Sequence, residues 1–391
     1  MQLPGLSGKR LLLVCDLKLA GGTQTYFEQL LDFYSREDVE VTLLFSPIVT
    51  KPRLAEKTAA FRTIFSHSEV HELYGDMETQ SGIFTRVFRE LKYYKLRKVC
   101  QDKIMEHDFD LVIVSTGRLG YGIESLVSQI NSLYFVHTYP HSRLSKMLAK
   151  HVYRRRLPIN TQIVSVSNYA STEIGKSLNF CRSGISVPFI YSTAGLLVEA
   201  AESTAKIKSN TVLILGALES YKNPMFVVEL AKYSKNVSGA NDLQFIWAGS
   251  GSLLNEMRRI TSELNLDNLH FIGEQENAES LFHDCFVYLQ PSLVESLGLA
   301  TLDAMRNGIP CIVSNVGGLP EVVEDGISGC VLSSWEFVEW LERIIQIRDD
   351  ATIGASLQAG AILNYVLKFS PDRWESRIRQ LHIDALKVGH L

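Results

Sequence analysis

Short runs of consecutive apolar, largely β-branched residues recur along the chain, separated by stretches with helical spacing. Strands that are covered on both faces carry apolar residues at consecutive positions, so these runs predict buried strands. Between two of them, Phe27, Leu30, Leu31 and Tyr34 follow the i, i+3, i+4, i+7 spacing of a helix with one apolar face. Strand and helix in alternation predict parallel α/β sheets. The predicted strands are Arg10–Val14, Val41–Phe45, Leu111–Ser115, Leu133–Val136, Gln162–Val166, Val212–Gly216, Leu243–Ala248, Leu269–Gly273, Phe286–Gln290 and Pro310–Ser314.

One stretch interrupts the alternation. Between Val187 and Asn210, proline, small residues and charges replace the regular spacing, so we place a domain boundary there. The pattern predicts an α/β protein of two Rossmann-like, doubly wound domains, over residues 1–190 and 191–368. Because such domains bind ligands beyond the carboxyl ends of their strands, we expect the functional site in a cleft where the two domains face each other.

Composition and charge exclude several classes of protein. Of the 391 residues, 46 % are hydrophobic and 21 % charged, as in ordinary globular proteins. The 39 basic and 43 acidic side chains give a net charge of −4, which offers no general electrostatic reason for nucleic-acid binding. The six cysteines lie far apart, without Cys-x-x-Cys pairs or zinc-ligand spacing, so we expect thiols in a reducing compartment.

The sequence predicts neither export nor a membrane span. The apolar run Leu11–Cys15 follows two basic residues as in a signal peptide, but Asp16 ends it too early. The longest uncharged stretch, Ser183–Val198, is shorter than the roughly 20 apolar residues of a spanning helix. We therefore expect a cytoplasmic protein.

The segment between Phe286 and Pro310 carries the most chemistry. A buried strand leads into a loop, and Gly298 lets the backbone approach a ligand where a helix starts. Amides at a helix start bind anions, and here they would suit a diphosphate. The residues that contribute these amides are Ser296, Leu297, Gly298 and Leu299.

Two acids flank this predicted anion site. Glu295 precedes the helix and Asp303 lies more than one turn inside it, so both carboxylates can accept hydrogen bonds from hydroxyls on either side. A nucleotide sugar, with a sugar on one side and a ribose on the other, fits the arrangement. The alternative is that Glu295 only caps the helix and that Asp303 is a solvated surface residue.

The predicted first domain offers weaker candidates. Gly21 and Gly22 follow the first strand, where their amides could face a phosphate or simply form a tight turn. His137 ends a strand and is either a hydrogen-bond donor to a ligand or a packed or solvated side chain. Asp108-Phe109-Asp110 imitates a metal motif, but it precedes its strand at the amino end, so we expect no metal there.

Taken together, the motifs resemble the family-4-like retaining glycosyltransferases of GT-B fold (glycosyl transferases group 1). The resemblance covers nearly the whole chain, and it implies that the helix after Phe369-Ser370 crosses back onto the first domain, so that residues 369–391 belong there. The matching motifs are Gly21-Gly22, Val164–Ser167, Gly216 with Lys222, Ala248-Gly249-x-Gly251, Phe271–Gly273, Pro291-Ser292, Glu295, Gly298, Asp303-Ala304-Met305, Gly308-x-Pro310, Gly317-Gly318-x-Pro320-Glu321 and Asp325-Gly326-x-x-Gly329.

The resemblance implies roles for individual residues. Glu295 would contact the donor sugar, Lys222 would act as a point charge on the leaving diphosphate, and His137 would touch the transferring sugar. Asp303 stands where the family has a second glutamate for the ribose hydroxyls, and Ala217 where many members have an arginine. Further donor-binding positions are Gly216, Gly249 and Gly273. The implied reaction needs no metal and no cofactor besides the nucleotide-sugar donor.

Two basic segments suggest where the acceptor comes from. Residues Arg86–Lys98 contain six basic side chains interleaved with aromatic ones, and Arg143–Arg156 contain six basic side chains and no acid. A basic, aromatic helix can lie on an anionic membrane surface. We predict a saccharide or lipid-linked acceptor, used in cell-surface polysaccharide or glycolipid assembly, with peripheral binding to the inner face of the membrane; solvated helix faces are the alternative.

Two other functions stay open at this point. The changes at Ala217 and Asp303 suit a catalytically silent relative that serves as a binding or scaffold subunit. A GT-B nucleotide-sugar epimerase or phosphorylase would need no saccharide acceptor.

Overall fold

The computed structural model describes residues 6–15, 21–45, 52–66, 69, 99–100, 102–116, 130–141, 146, 160–178, 187–195, 210–275 and 277–387. The chain forms two compact units. The first contains residues 1–190 and 375–391, and the second contains residues 191–374.

The first unit is built on a parallel sheet with strand order β3-β2-β1-β4-β5-β6. Its strands consist mainly of buried apolar residues, as the sequence predicts, because helices cover the sheet. The strands are β1 (Lys9–Cys15), β2 (Val39–Phe45), β3 (Arg62–Phe65), β4 (Leu111–Thr116), β5 (Ser132–Val136) and β6 (Thr161–Ser165). The described helices of this unit include α1 (Gly21–Tyr34) and α2 (Pro52–Ala59), which connect strands of the sheet, and α3 (Asn168–Leu178), which follows β6.

The second unit repeats the same topology. Its parallel sheet has the order β12-β11-β10-β7-β8-β9, so β7 and β10 are neighbours in the middle, where the order reverses. The strands are β7 (Thr211–Leu215), β8 (Gln244–Ala248), β9 (Leu269–Gly273), β10 (Val287–Gln290), β11 (Cys311–Ser314) and β12 (Gly329–Leu332). The α-helices are α4 (Pro224–Ser234), α5 (Leu254–Glu263), α6 (Leu299–Arg306), α7 (Leu319–Val322), α8 (Phe337–Asp349) and α9 (Ala351–Lys368).

The last helix, α10 (Pro371–Lys387), leaves the second unit and completes the first. Its buried His382 bonds to Tyr34 of α1, with 2.7 Å between the histidine Nε2 and the phenol oxygen. Arg379 forms an ion pair with Glu37 just beyond α1, with 2.5 Å between Nη2 and Oε1. The helix therefore packs against a face of the first unit that lies more than 330 residues away in the sequence.

All ten predicted strands are present within two residues of their expected ends, and in the part of the chain that the structure describes two further strands, β3 and β12, were not predicted. Strands β3 and β12 have only four residues each and lie at sheet edges. An edge strand has a neighbour on one side only and tolerates polar residues, so its sequence lacks a long apolar run. Arg62 at the start of β3 is accordingly exposed.

The long helical region before α10 is divided into two helices, α8 and α9. Asp350 lies between them with non-helical φ and ψ of −96° and 97°, and its carboxylate accepts hydrogen bonds from the amides of Thr352 and Ile353. This is the geometry of an N-cap, which starts a new helix instead of continuing the old one. None of the helices that the structure describes is both long enough and apolar enough to cross a bilayer.

Candidate functional site

The site in the second unit begins with an ion pair at the point where the strand order reverses. Lys222 lies in a short 3-10 turn (Ser220–Lys222) after β7, and Glu295 lies in the loop after β10. Their side chains are only 16 % and 15 % exposed, and Lys222 Nζ donates to Glu295 Oε2. Doubly wound sheets bind ligands at this topological switch point, at the carboxyl ends of the strands. The fold thus brings together two of the predicted site residues from 73 positions apart.

Helix α6 begins directly after this pair. Gly298 is its N-cap, with φ of 101°, a left-handed conformation that a side chain would strain, and an added Cβ would lie 2.7 Å from Leu319. The Ser296 amide donates to Glu295 Oε1 over 3.2 Å, whereas Leu297 is buried. Leu299 is the first residue of the helix and is half-buried. The predicted helix start is therefore present, and the Ser296 amide, two residues before the N-cap, orients the Glu295 carboxylate.

Two adjacent glycines in the loop after β11 pack against the backbone of Glu295. Gly317 has φ of 58°, and a Cβ placed there would lie 1.7 Å from the Glu295 carbonyl oxygen. The amide of Gly318 donates to that same oxygen over 3.1 Å. Close backbone approach of this kind requires glycine. The two glycines therefore fix the position of the Glu295 backbone.

Asp303 lies on α6 and is held by a basic partner. Its Oδ1 accepts from Arg306 Nε over 3.0 Å, and the guanidinium also bonds to Glu279, with 2.7 Å between Nη1 and Oε1. Burial alone would lower the pKa of Arg306, but the charges of Asp303 and Glu279 raise it, so the cation is secure. The Asp303 side chain is one third exposed, which leaves the carboxylate partly available to a ligand.

Three glycines close the carboxyl ends of β7, β8 and β9. The Gly216 amide donates to Ala248 O over 3.0 Å, and the Gly249 amide donates to Gly273 O over 2.8 Å. The stem of Lys222 lies beside Gly216. These donor-binding candidates therefore form one continuous edge that leads to Lys222.

Sequence reasoning missed Gln290, the last residue of β10. It is 2 % exposed, and its Nε2 donates to Ser292 Oγ over 2.8 Å and to Glu295 Oε2 over 3.2 Å. The signal was available, because a glutamine in a strand that otherwise reads as a continuous buried apolar run must find buried partners.

In the first unit, His137 follows β5. Its Nε2 lies 3.0 Å from Ser115 Oγ near the end of β4, and its ring packs edge-on against Tyr26 of α1, with 4.7 Å between ring centroids. Desolvation lowers the pKa of His137 to about 4, so the imidazole is neutral at physiological pH. Gly21 and Gly22 are the exposed first residues of α1, where amides lack partners within the helix.

Asp108 and Asp110 of the motif that imitates a metal site both form ion pairs. Asp110 accepts from the amide of Arg10 and from Lys9, and Asp108 pairs with Arg10, at the amino end of β4 as expected. Residues 86–98 lie outside the described residues, and so does 143–156 apart from Lys146.

Part of the second unit matches the model of a known protein family. Residues 199–358 match the model of the glycosyl transferases group 1 family. The UDP-Gal:alpha-D-GlcNAc-diphosphoundecaprenol alpha-1,3-galactosyltransferase of Escherichia coli is 26 % identical over 190 residues, 47 % of this chain and 49 % of that protein. The N-acetyl-alpha-D-glucosaminyl L-malate synthase of Bacillus anthracis is 24 % identical over 180 residues, 46 % of this chain and 47 % of that protein. The match thus spans about half the length of these relatives.

Among solved structures, Anabaena Alr3699/HepE in complex with UDP and glucose has a similar fold. It superposes with a TM-score of 0.71 at 15 % identity, covering 96 % of this chain and 99 % of that one. Two parallel-sheet, Rossmann-like domains with such neighbours define the GT-B fold. The chain therefore has the GT-B fold, and its residues 199–358 match the glycosyl transferases group 1 family.

Proposed function

We propose that this protein is a retaining glycosyltransferase that moves a sugar from a nucleotide-diphosphate sugar to a saccharide or lipid-linked saccharide. The observation that carries the proposal is the Lys222–Glu295 pair at the switch point of the second sheet, beside the N-terminus of α6. A cation and helix amides suit a diphosphate, and the adjacent carboxylate suits sugar hydroxyls. The relatives add support, since two of them are named for transferring or joining sugars.

In the proposed mechanism, each group has one task. Lys222 leaves Glu295 for the diphosphate and, with the amides at the start of α6, stabilises the negative charge that develops as the sugar departs. Glu295 then holds the donor sugar through its hydroxyls. His137 donates from its neutral ring to a hydroxyl of the transferring sugar, in agreement with its lowered pKa.

We propose that the reaction proceeds without a metal ion. Within the described residues, no group of three or more His, Cys, Asp or Glu side chains is placed to hold a metal ion. The three carboxylates singled out from the sequence pair with basic side chains instead: Glu295 with Lys222, Asp303 with Arg306 and Asp110 with Lys9. Undiminished transfer in the presence of excess chelator supports this proposal. Loss of transfer in chelator, with recovery when Mg²⁺ or Mn²⁺ is added, contradicts it.

We propose an acceptor at the membrane surface, on the strength of the basic segments in the sequence and of a relative named for a diphosphoundecaprenol substrate. Vesicles with anionic lipid are expected to carry the protein in flotation. Reversing three charges together, at Arg154, Arg155 and Arg156, to Glu should leave it unbound. Unchanged flotation of that variant would exclude this surface.

A silent binding subunit is the second candidate, favoured by one observation. Asp303 is shorter than the glutamate that the family pattern has at this position, and Arg306 already occupies one of its oxygens. Thermal shift and release of nucleoside diphosphate across a panel of nucleotide sugars separate the two: a silent subunit releases none. An epimerase would instead interconvert the free nucleotide sugars.

The site assignment is tested by substitution. Glu295→Ala and Lys222→Ala are each expected to reduce transfer more than ten-fold, which is about 1.4 kcal/mol of transition-state stabilisation. Lys235→Ala is the matched control, because Lys235 also pairs with an acid, Asp267, but lies on the exposed surface. Wild-type turnover in both site variants would remove the assignment.

A further inference from the structure

A chain of buried polar groups leads from the centre of the second sheet to Glu295. Tyr288 and Gln290 are alternate residues of β10, so their side chains lie on the same face of the sheet. The Tyr288 hydroxyl contacts Gln290 Oε1 and lies 3.2 Å from Leu215 O. Gln290 in turn contacts Ser292 and Glu295.

This chain has a defined direction. Burial raises the pKa of Tyr288 well above its usual value, and nearby charges that include Glu295 add to this, so the phenol keeps its proton. The Gln290 amide nitrogen faces Ser292 Oγ and Glu295 Oε2, and its oxygen faces the Tyr288 hydroxyl, whose single proton it shares with Leu215 O. The rotated amide would place its oxygen against the carboxylate, two acceptors in contact.

We infer that Gln290 is a positioning residue for Glu295. The inference rests on the proposed function and goes beyond it. Lys222 and Gln290 both donate to Glu295 Oε2. When Lys222 turns to the donor diphosphate, Gln290 keeps its hydrogen bond and holds the carboxylate against the sugar. Glu295 therefore stays oriented at the moment when its ion pair is lost.

The first test separates sugar binding from diphosphate binding. In Gln290→Met, which keeps the volume but has no donor, we expect UDP affinity within two-fold of wild type, because Lys222 is intact. The additional affinity that UDP-glucose, UDP-galactose or UDP-N-acetylglucosamine shows over UDP should fall at least five-fold, and kcat should fall at least ten-fold. Tyr288→Phe removes only the hydrogen bond from the phenol to Gln290, so the losses of sugar-dependent affinity and of kcat should be smaller.

The second test uses pH. In Gln290→Glu the introduced carboxyl can donate to Glu295 only while it is protonated, and two carboxylates in contact favour one shared proton. Turnover relative to wild type should therefore be highest at low pH and decline as the pH rises. Asn268→Asp is the matched control: Asn268 is also a buried amide, bonded to Ala231 O and Ser234 Oγ, and its change should affect stability without changing the pH profile of kcat.

The outcomes distinguish this inference from the proposed function. If the wild-type protein transfers no sugar from any nucleotide sugar of the panel, the proposed function is wrong. If Glu295→Ala keeps full turnover, the site assignment is wrong, and Gln290 has no catalytic carboxylate to position. If Glu295→Ala loses turnover while Gln290→Met and Tyr288→Phe keep kcat and sugar affinity, only the positioning role is wrong. Equal loss of UDP and UDP-sugar affinity in both variants would likewise overturn it, because it would indicate general damage to the pocket.

Discussion

The half-buried ion pair between Lys222 and Glu295 makes each partner costly to remove alone. Removing one charge leaves the other in a poorly solvated site, whereas removing both leaves no unpaired charge. We expect Lys222→Met and Glu295→Gln each to lower the free energy of unfolding by about 1–3 kcal/mol. The double variant should lose clearly less than the sum. Urea unfolding of the four proteins measures this coupling, and additive losses would show that the pair contributes nothing as a pair.

The short turn at Gly317 makes a prediction about the loop that carries Glu295. In Gly317→Ala, the left-handed φ costs about 1–2 kcal/mol, and the added methyl also collides with the Glu295 carbonyl oxygen. We expect a larger loss of stability than from φ alone, together with a loss of nucleotide-sugar turnover.

Gly326→Ala is the control for this loop. Gly326 has a similar φ of 73°, but nothing lies within 4 Å of an added Cβ. The Gly326→Ala variant should lose only the stability that the left-handed φ costs, and its turnover should stay at the wild-type level. Equal behaviour of the two variants in thermal melting and in turnover would mean that the contact with Glu295 is unimportant.

Strands β3 and β12, which the sequence did not predict, are short strands at the sheet edges. A central strand is recognised because both its faces are buried, so that its apolar run is uninterrupted, as in Leu11–Cys15 of β1. Four-residue edge strands such as β3 carry no such run, and only pairing with a neighbour defines them. The start of α10 also has a local signal, because Ser370-Pro371-Asp372 places an N-cap residue next to a proline that starts a helix.

Helix α10 joins the first unit through contacts with residues that are far away in the sequence. His382 Nδ1 lies 2.7 Å from Ile378 O and must carry the proton, so Nε2 accepts from Tyr34. Burial lowers the pKa of His382 to about 4, and the hydrogen bond to Ile378 and the charge of Glu37 only partly oppose this. Below about pH 6.5 the unfolded chain therefore binds a proton that the folded chain excludes.

The stability of the first unit should consequently depend on pH. The contribution of neutral His382 is complete above about pH 6.5 and is lost as the pH falls towards 4, by up to roughly 3 kcal/mol. In His382→Leu the unfolding free energy should fall less between pH 7 and pH 4.5 than in wild type. His107→Gln, at an exposed histidine, is the control and should follow the wild-type curve. An unchanged slope in His382→Leu would contradict the assignment.

Local properties of the sequence were enough to predict the alternation of strands and helices and the start of α6 at Gly298, because periodicity and backbone freedom act between neighbouring residues. They also placed Glu295 after a predicted strand. The pairing of Lys222 with Glu295, the bond from Arg306 to Asp303 and the bond from Gln290 to Glu295 are established only by the fold. Those contacts depend on the order of strands in the sheet and on side-chain direction at its carboxyl edge, and residues 73 positions apart carry no local signal that they will meet.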